Sequence, residues 1–248
     1  MSISKLDFLK FQADSSHILS QRNAELCAHG PILEQDIAIT NITLDLLGQA
    51  RNFYQYAATL SGDPVVTEDS LAYLRNEREY KNLLLVELPA ADWSYTVLRQ
   101  LFYSVYQYLV FEQLEKSTDL QIAAIATKSL KETTYHIKWS SEWVIRLGDG
   151  TEESHSRIKK ALVDYWPYTG ELFIPAPYET ETLLGFDLSA LKYEWLKQIS
   201  AVFEEANLSL PENIFMHTGG KTGTHTEHLG FLLAEMQYLQ RSHPGATW

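Results

Sequence analysis

A single cysteine, Cys27, in 248 residues excludes an internal disulfide framework and fits a reducing compartment. Eight prolines and twelve glycines leave long stretches unpunctuated, so the chain can run in long helices. Cations are scarce: 20 Lys and Arg stand against 32 Asp and Glu, a net charge of -12 with a pI near 5.1. Such a field repels phosphate backbones and anionic lipid, which argues against nucleic acid and membrane surfaces as partners. An anionic ligand would need a local basic patch. No apolar run is long enough to span a bilayer; the longest, Leu101 to Phe111, is about half the required length. The first residues, Met-Ser-Ile-Ser-Lys-Leu-Asp, lack the apolar segment of a secretory signal. Low-complexity tracts and internal repeats are also missing. We therefore expect a soluble, cytoplasmic, all-α protein forming a single domain over residues 1–248.

What is present supports long helices. With 45% apolar residues the chain can bury a substantial core. The spacing predicts a first helix from about Asp7 to Ala28, carrying Phe11, Ile18, Leu19 and Leu26, ended by Gly30-Pro31. A second runs from Leu33 to Ser61, with Ile37, Leu44, Leu47 and Tyr54 as its apolar stripe and Gly62-Asp63-Pro64 as its stop. Thr67 caps a short helix. The residues Asn82 to Glu87 have strand-like composition, but an isolated strand has no pairing partner, so they read as buried helix or loop. Asp92 caps a helix over Trp93 to Lys116, and Asp119 caps one ending at Gly148. The short connection makes these two antiparallel neighbours. Further helices follow from Thr151 to Trp166, from Asp187 to about Asn207, and from Thr226, the last with Leu229, Leu232, Leu233, Met236 and Leu239 on its apolar side.

Two helical hairpins suggest a ferritin-like four-helix bundle with additional C-terminal helices. In its di-iron form, such a bundle takes a Glu from each of two helices and a Glu-x-x-His from each of the other two. Glu132-Thr133-Thr134-Tyr135-His136 lies midway along the fourth long helix, and its carboxylate and imidazole share one face about a turn apart. The required imidazole, however, should stand three residues after the carboxylate, where the sequence has Tyr135. On the second helix the mid-helix carboxylate is Asp45, followed at that spacing by Gly48. From Trp93 to Phe111 the third long helix contains neither Asp nor Glu. Asp14-x-x-His17 and Glu152-x-x-His155 have the spacing, but the first lacks companion ligands and the second sits in a helix first turn, where acidic groups serve the dipole. The set reads as a degenerate, metal-free di-iron site at Asp45, Gly48, Glu132 and Tyr135. Asp45 and Glu132 are then expected to be buried and satisfied by hydrogen bonds or cations.

Three other features invite chemistry. His225-x-x-His228 beside Glu227 has the spacing of two zinc ligands, so an independent metal-dependent enzyme with a site near His225 and His228 is the alternative reading, against helix N-terminal polarity with loop contacts. The loop Gly219-Gly220-Lys221-Thr222-Gly223 lacks the earlier glycine of a phosphate loop, because position 215 is Phe. It can cradle an anion or simply supply turn geometry. The aromatic run Trp93, Tyr95, Phe102, Tyr103, Tyr106, Tyr108 and Phe111 reads as core or interface rather than as a substrate channel. Cys27 reads as a small buried residue.

The segments NITLDLLGQARNF (Asn41–Phe53), NLLLVE (Asn82–Glu87) and GGKTGTHTEHLGFLLAEMQYLQR (Gly219–Arg241) resemble the structural C subunits of bacterial phenylacetyl-CoA epoxidases. These ordered matches extend over nearly the whole chain. The resemblance implies a ferritin-like, non-catalytic subunit without cofactor, which pairs with a catalytic A subunit and other subunits of the complex. The A subunit would carry the di-iron centre and epoxidise phenylacetyl-CoA with dioxygen. A separate reductase would supply electrons from NADPH through flavin and iron-sulfur groups. The resemblance places contacts with phenylacetyl-CoA at Glu79, Tyr80, Lys81 and Asn82, and near Thr180, Glu181 and Thr182. Arg75, Arg78 and Lys81 make the first segment a reasonable neighbour for CoA phosphates. It also allows a homodimer when the protein is alone.

Overall fold

The computed structural model describes residues 3–179, 185–212 and 214–246, and among these it is helical with no strand. The described residues fall into two compact units. The first comprises Met1–Pro89, Ala176–Glu179 and Gly219–Trp248; the second comprises Ala90–Pro175 and Thr180–Thr218.

In the first unit α1 (Ile3–Ala24) packs along α2 (Leu33–Ser61) as a hairpin, with α3 (Glu68–Tyr73) and the single buried turn α4 (Leu84–Glu87) against it. α1 ends four residues before the expected Ala28, which instead adopts a left-handed φ of 70° in the following turn. α2 has the expected limits, closed by Gly62 at φ 71°, a conformation glycine adopts without steric cost. Of the expected stripe, Tyr54 is buried but the other three residues are not. Ile39, Ile42, Leu46, Ala50, Phe53 and Ala57 are buried, whereas Ile37, Leu44 and Leu47 are exposed. Both sets have helical spacing, about half a turn apart, and α1 covers the longer set. α3 begins with a reciprocal capping box: Thr67 Oγ1 accepts from Ser70 N at 3.1 Å, and Ser70 Oγ accepts from Thr67 N at 2.9 Å. Residues Asn82–Glu87 are buried helix and loop, as the missing strand partner implied. The last helix is broken into α9 (Glu227–Met236) and α10 (Tyr238–Ser242), and Leu239 is left exposed.

The second unit is built on the hairpin of α5 (Trp93–Leu114) and α6 (Leu120–Gly148), covered by α7 (Glu152–Tyr165) and α8 (Leu188–Glu205). Asp92, Asp119 and Asp187 all cap as expected: their carboxylates accept from Ser94 N, from Gln121 N and Ile122 N, and from Ser189 N. α5 is buried on almost every side, and Phe102, Tyr103, Tyr106 and Phe111 of the aromatic run lie in the core. Trp195 packs against Phe102 and Phe173 with ring centroids 5.5 Å apart in each case, and its Nε1 donates to Phe102 O at 3.0 Å.

Candidate functional site

Asp14, on the buried middle of α1, accepts from three residues. Tyr54 Oη of α2 donates to it at 2.6 Å, the Lys81 backbone N–H at 2.8 Å, Arg75 Nη1 at 3.0 Å, and Arg75 Nη2 makes a further short contact. Arg75 continues outward, donating from Nε to Leu71 O at 2.6 Å and from Nη1 to Glu79 O at 2.8 Å. Its guanidinium lies over the Tyr80 ring, 4.2 Å from the centroid. One buried ion pair thus fixes the whole path of residues 75–81. Burial opposes the charge on Arg75, but the Asp14 carboxylate outweighs it and holds the guanidinium protonated beyond its ordinary range. Burial, reinforced by Asp14, pushes the Tyr54 hydroxyl well up.

A second pair lies beyond Asn82. Glu87, fully buried at the end of α4, accepts from Asn82 Nδ2 at 2.8 Å, from Thr226 N at 2.6 Å and from His225 Nδ1 at 2.9 Å. His225 Nε2 donates to Tyr80 O at 3.0 Å. A carbonyl only accepts and the carboxylate accepts too, so both ring nitrogens carry hydrogen and His225 is an imidazolium. Burial alone would lower its pKa; the hydrogen bond and charge of Glu87 raise it above the ordinary 6.5. This overturns the zinc reading: both His225 nitrogens are engaged, and His228 contributes a backbone carbonyl to Arg22 Nη2 at 3.0 Å. Among the described residues no group of three or more His, Cys, Asp and Glu is placed to hold a metal ion.

The third pair is Lys221 with Glu179, at 2.9 Å and buried on both sides. Lys221 also lies 5.0 Å from the Phe11 ring centroid, and Tyr178 Oη donates to Lys221 O at 2.8 Å. The glycines of this loop serve close approach rather than anion cradling. A Cβ at Gly220 would meet Asn82 O, and one at Gly223, where φ is 84°, would meet Arg78 O. The loop is therefore pressed onto the segment carrying Glu79 to Asn82.

Of the four implied contact residues, Tyr80 and Asn82 are buried, with Tyr80 Oη donating to Ala72 O and Asn82 bonded to Glu87. Glu79 is exposed and Lys81 partly so. Lys81 Nζ lies 5.3 Å from the Tyr178 ring centroid and 3.7 Å from Asp7. Thr180, Glu181 and Thr182 lie outside the described residues, but Tyr178 and Glu179, just before them, stand beside Lys81 and Lys221. Arg75 is a correction: its charge is consumed by Asp14, leaving Arg78 exposed and Lys81 partly exposed beside Asp7.

The expected carboxylate register is one residue off. Glu132 is only half-buried and Tyr135 is 44% exposed, while Ser129, Thr133, His136 and Ser140 form the buried polar line of α6. Thr133 Oγ1 donates to Ser129 O at 2.8 Å and Ser140 Oγ to His136 O at 2.7 Å. On α2, Asp45 is half-buried and a Cβ on Gly48 would meet nothing within 4 Å, whereas Leu46 and Gln49 are buried. The Glu-x-x-His spacing thus falls on Leu46/Gln49 and Thr133/His136. With no carboxylate in either buried pair, none on α5 up to Phe111, and Asp14 saturated by Arg75, the residues present do not fit a di-iron centre. Sequence reasoning missed the pairings of Asp14, Glu87 and Glu179; the available signal was a charged residue inside an otherwise apolar stretch.

The result is a helical, ferritin-like protein whose buried carboxylates Asp14, Glu87 and Glu179 are paired with side chains and loops of the chain itself. The chain belongs to the family described as phenylacetic acid catabolic protein, whose model matches residues 3–248. It is 45% identical over 238 residues, 95% of each chain, to the C subunit of the 1,2-phenylacetyl-CoA epoxidase of Escherichia coli (strain K12). No helix among the described residues is long and apolar enough to cross a membrane.

Proposed function

We propose that this chain is the C subunit of a phenylacetyl-CoA epoxidase acting in cytoplasmic phenylacetate degradation. It is a non-catalytic partner that binds and supports a di-iron A subunit, itself supplied with electrons from NADPH by a flavin and iron-sulfur reductase. The 45% identity spanning 95% of both chains carries the reading. The poor fit of Leu46/Gln49 and Thr133/His136 to a hard metal centre supports the non-catalytic role. In this reading the chain presents Glu79, Arg78 and Lys81 on a segment fixed by Asp14, and the two cations offer charge-assisted hydrogen bonds to the phosphates of phenylacetyl-CoA. The test is co-expression with the A subunit. The two should elute as one complex that epoxidises phenylacetyl-CoA with the reductase, while the lone chain, as monomer or homodimer, binds no stoichiometric iron. Two irons per lone chain, or no association, would sink the proposal.

A further inference from the structure

Lys221 is a cation that a ligand at the surface does not reach: its side chain is 4% exposed and that of its partner Glu179 is 1% exposed. The Glu179 carboxylate accepts from Lys221 Nζ at 2.9 Å and from Ala176 N at 2.9 Å, which closes the turn Ala176–Glu179 on itself. The same turn is tied a second time, by Tyr178 Oη donating to Lys221 O at 2.8 Å. Lys221 therefore grips two consecutive residues, Glu179 through its side chain and Tyr178 through its backbone.

That grip fixes the Tyr178 ring. The ring packs against Phe11 with centroids 5.9 Å apart, and Lys81 Nζ stands 5.3 Å from its centroid. Lys81 is partly exposed, and Asp7 lies 3.7 Å from the same ammonium. A lysine head group on its flexible stem is placed only by what it leans on. The loop that carries Lys221 also holds the backbone on either side of Lys81. Gly220 and Gly223 abut Asn82 O and Arg78 O, and His225 Nε2 donates to Tyr80 O at 3.0 Å. One loop thus sets both the backbone around Lys81 and the ring beside its ammonium.

We propose that Lys221 is a positioning residue for the CoA phosphates: through Glu179 and Tyr178 it sets the place of the Lys81 ammonium. This rests on the reading in which Lys81 meets those phosphates. A buried ion pair adds little stability over apolar residues of similar volume, so the use of this one is directional. The test uses the complex with the A subunit and reductase, and compares phenylacetyl-CoA with phenylacetyl-pantetheine, which has the thioester but no phosphate. Lys81→Ala should raise KM for phenylacetyl-CoA roughly tenfold, the worth of one charge-assisted hydrogen bond, with kcat unchanged. Lys221→Met combined with Glu179→Leu removes the pair without stranding a buried charge. It should raise the same KM about threefold to tenfold and leave that for phenylacetyl-pantetheine unchanged. In the Lys81→Ala background it should add less than about twofold, because both changes act through one ammonium. If the paired replacement does not fold, Tyr178→Leu, which keeps the ion pair and removes the ring, decides by the same comparison. An unchanged KM for phenylacetyl-CoA, equal effects on both substrates, or additivity with Lys81→Ala would overturn the proposal and leave the role of Lys81 standing. Lys81→Ala without effect on KM would overturn that role and this proposal together.

Discussion

The interiors of the two units solve the same problem, filling space between long helices, with different chemistry. In the first unit Asp14, Arg22, Arg75, Glu87, Glu179 and Lys221 are all buried, whereas among the described residues of the second the buried Asp, Glu, Lys and Arg are Arg99 and Glu171. The first unit is ordered around directional ion pairs that reach loops as well as helices: Asp14 holds residue 81, Glu87 holds residues 225 and 226, and Glu179 holds residue 221. The second is ordered around aromatic packing centred on Trp195, with Ser and Thr hydroxyls returned to their own helices. Ion pairs place loops in defined positions; aromatic packing fills volume. The implied substrate-facing segment lies in the first unit, held by the buried Asp14–Arg75 pair.

The comparison is broken most directly at its two centres. Asp14→Ala should cost about 3–5 kcal/mol in chemical denaturation, because it strands a buried guanidinium. Replacing both partners, Asp14→Leu with Arg75→Met, should recover most of that loss. Trp195→Ala in the second unit should cost a similar amount, about 3–5 kcal/mol, through the cavity it leaves, with Trp195→Phe much milder. If the Asp14/Arg75 double variant is no better than Asp14→Ala, the first unit is packing-dominated too, and the contrast fails.

Two histidines of the first unit should respond to pH in opposite directions. The pKa of His225 is raised, so its contribution is fully present below 6.5 and is lost as pH rises through its higher folded value. Glu87→Gln should remove that loss from the stability profile. His17 is lowered to about 4, so its contribution is present above 6.5 and is lost as pH falls from 6.5 toward 4, a total of up to about 3 kcal/mol. His17→Phe should flatten that acid limb. The smallest effect belongs to the second unit: Tyr135→Ser, at an exposed position, should change stability by no more than about 0.5 kcal/mol, whereas His136→Ala should cost clearly more. Equal costs at the two positions would restore the register expected from Glu132 and Tyr135.

Helix positions and caps were legible because they are local. Asp92, Asp119 and Thr67 act within a few residues of where they stand, and Gly62 ends α2 by its own backbone freedom. The facing of those helices was less legible. α2 carries two apolar stripes, and its periodicity is satisfied by either; only the neighbour α1 selects Ile39 and Ile42 over Ile37 and Leu44. The same ambiguity moved the buried polar line of α6 from Glu132 and Tyr135 to Thr133 and His136, since a helix rotated by one residue turns about 100°.

The sequence by itself determined that this chain is helical, lacks a repeated Glu-x-x-His set on its long helices and belongs among the phenylacetic acid catabolic proteins, because composition, caps and extended motifs are properties of the chain read in order. Tertiary structure decided what its buried charges do. Asp14 and Arg75 are 61 residues apart, and Glu87 and His225 are 138 apart. No local rule links them; they meet because burying a carboxylate is tolerable only where the fold brings it a partner.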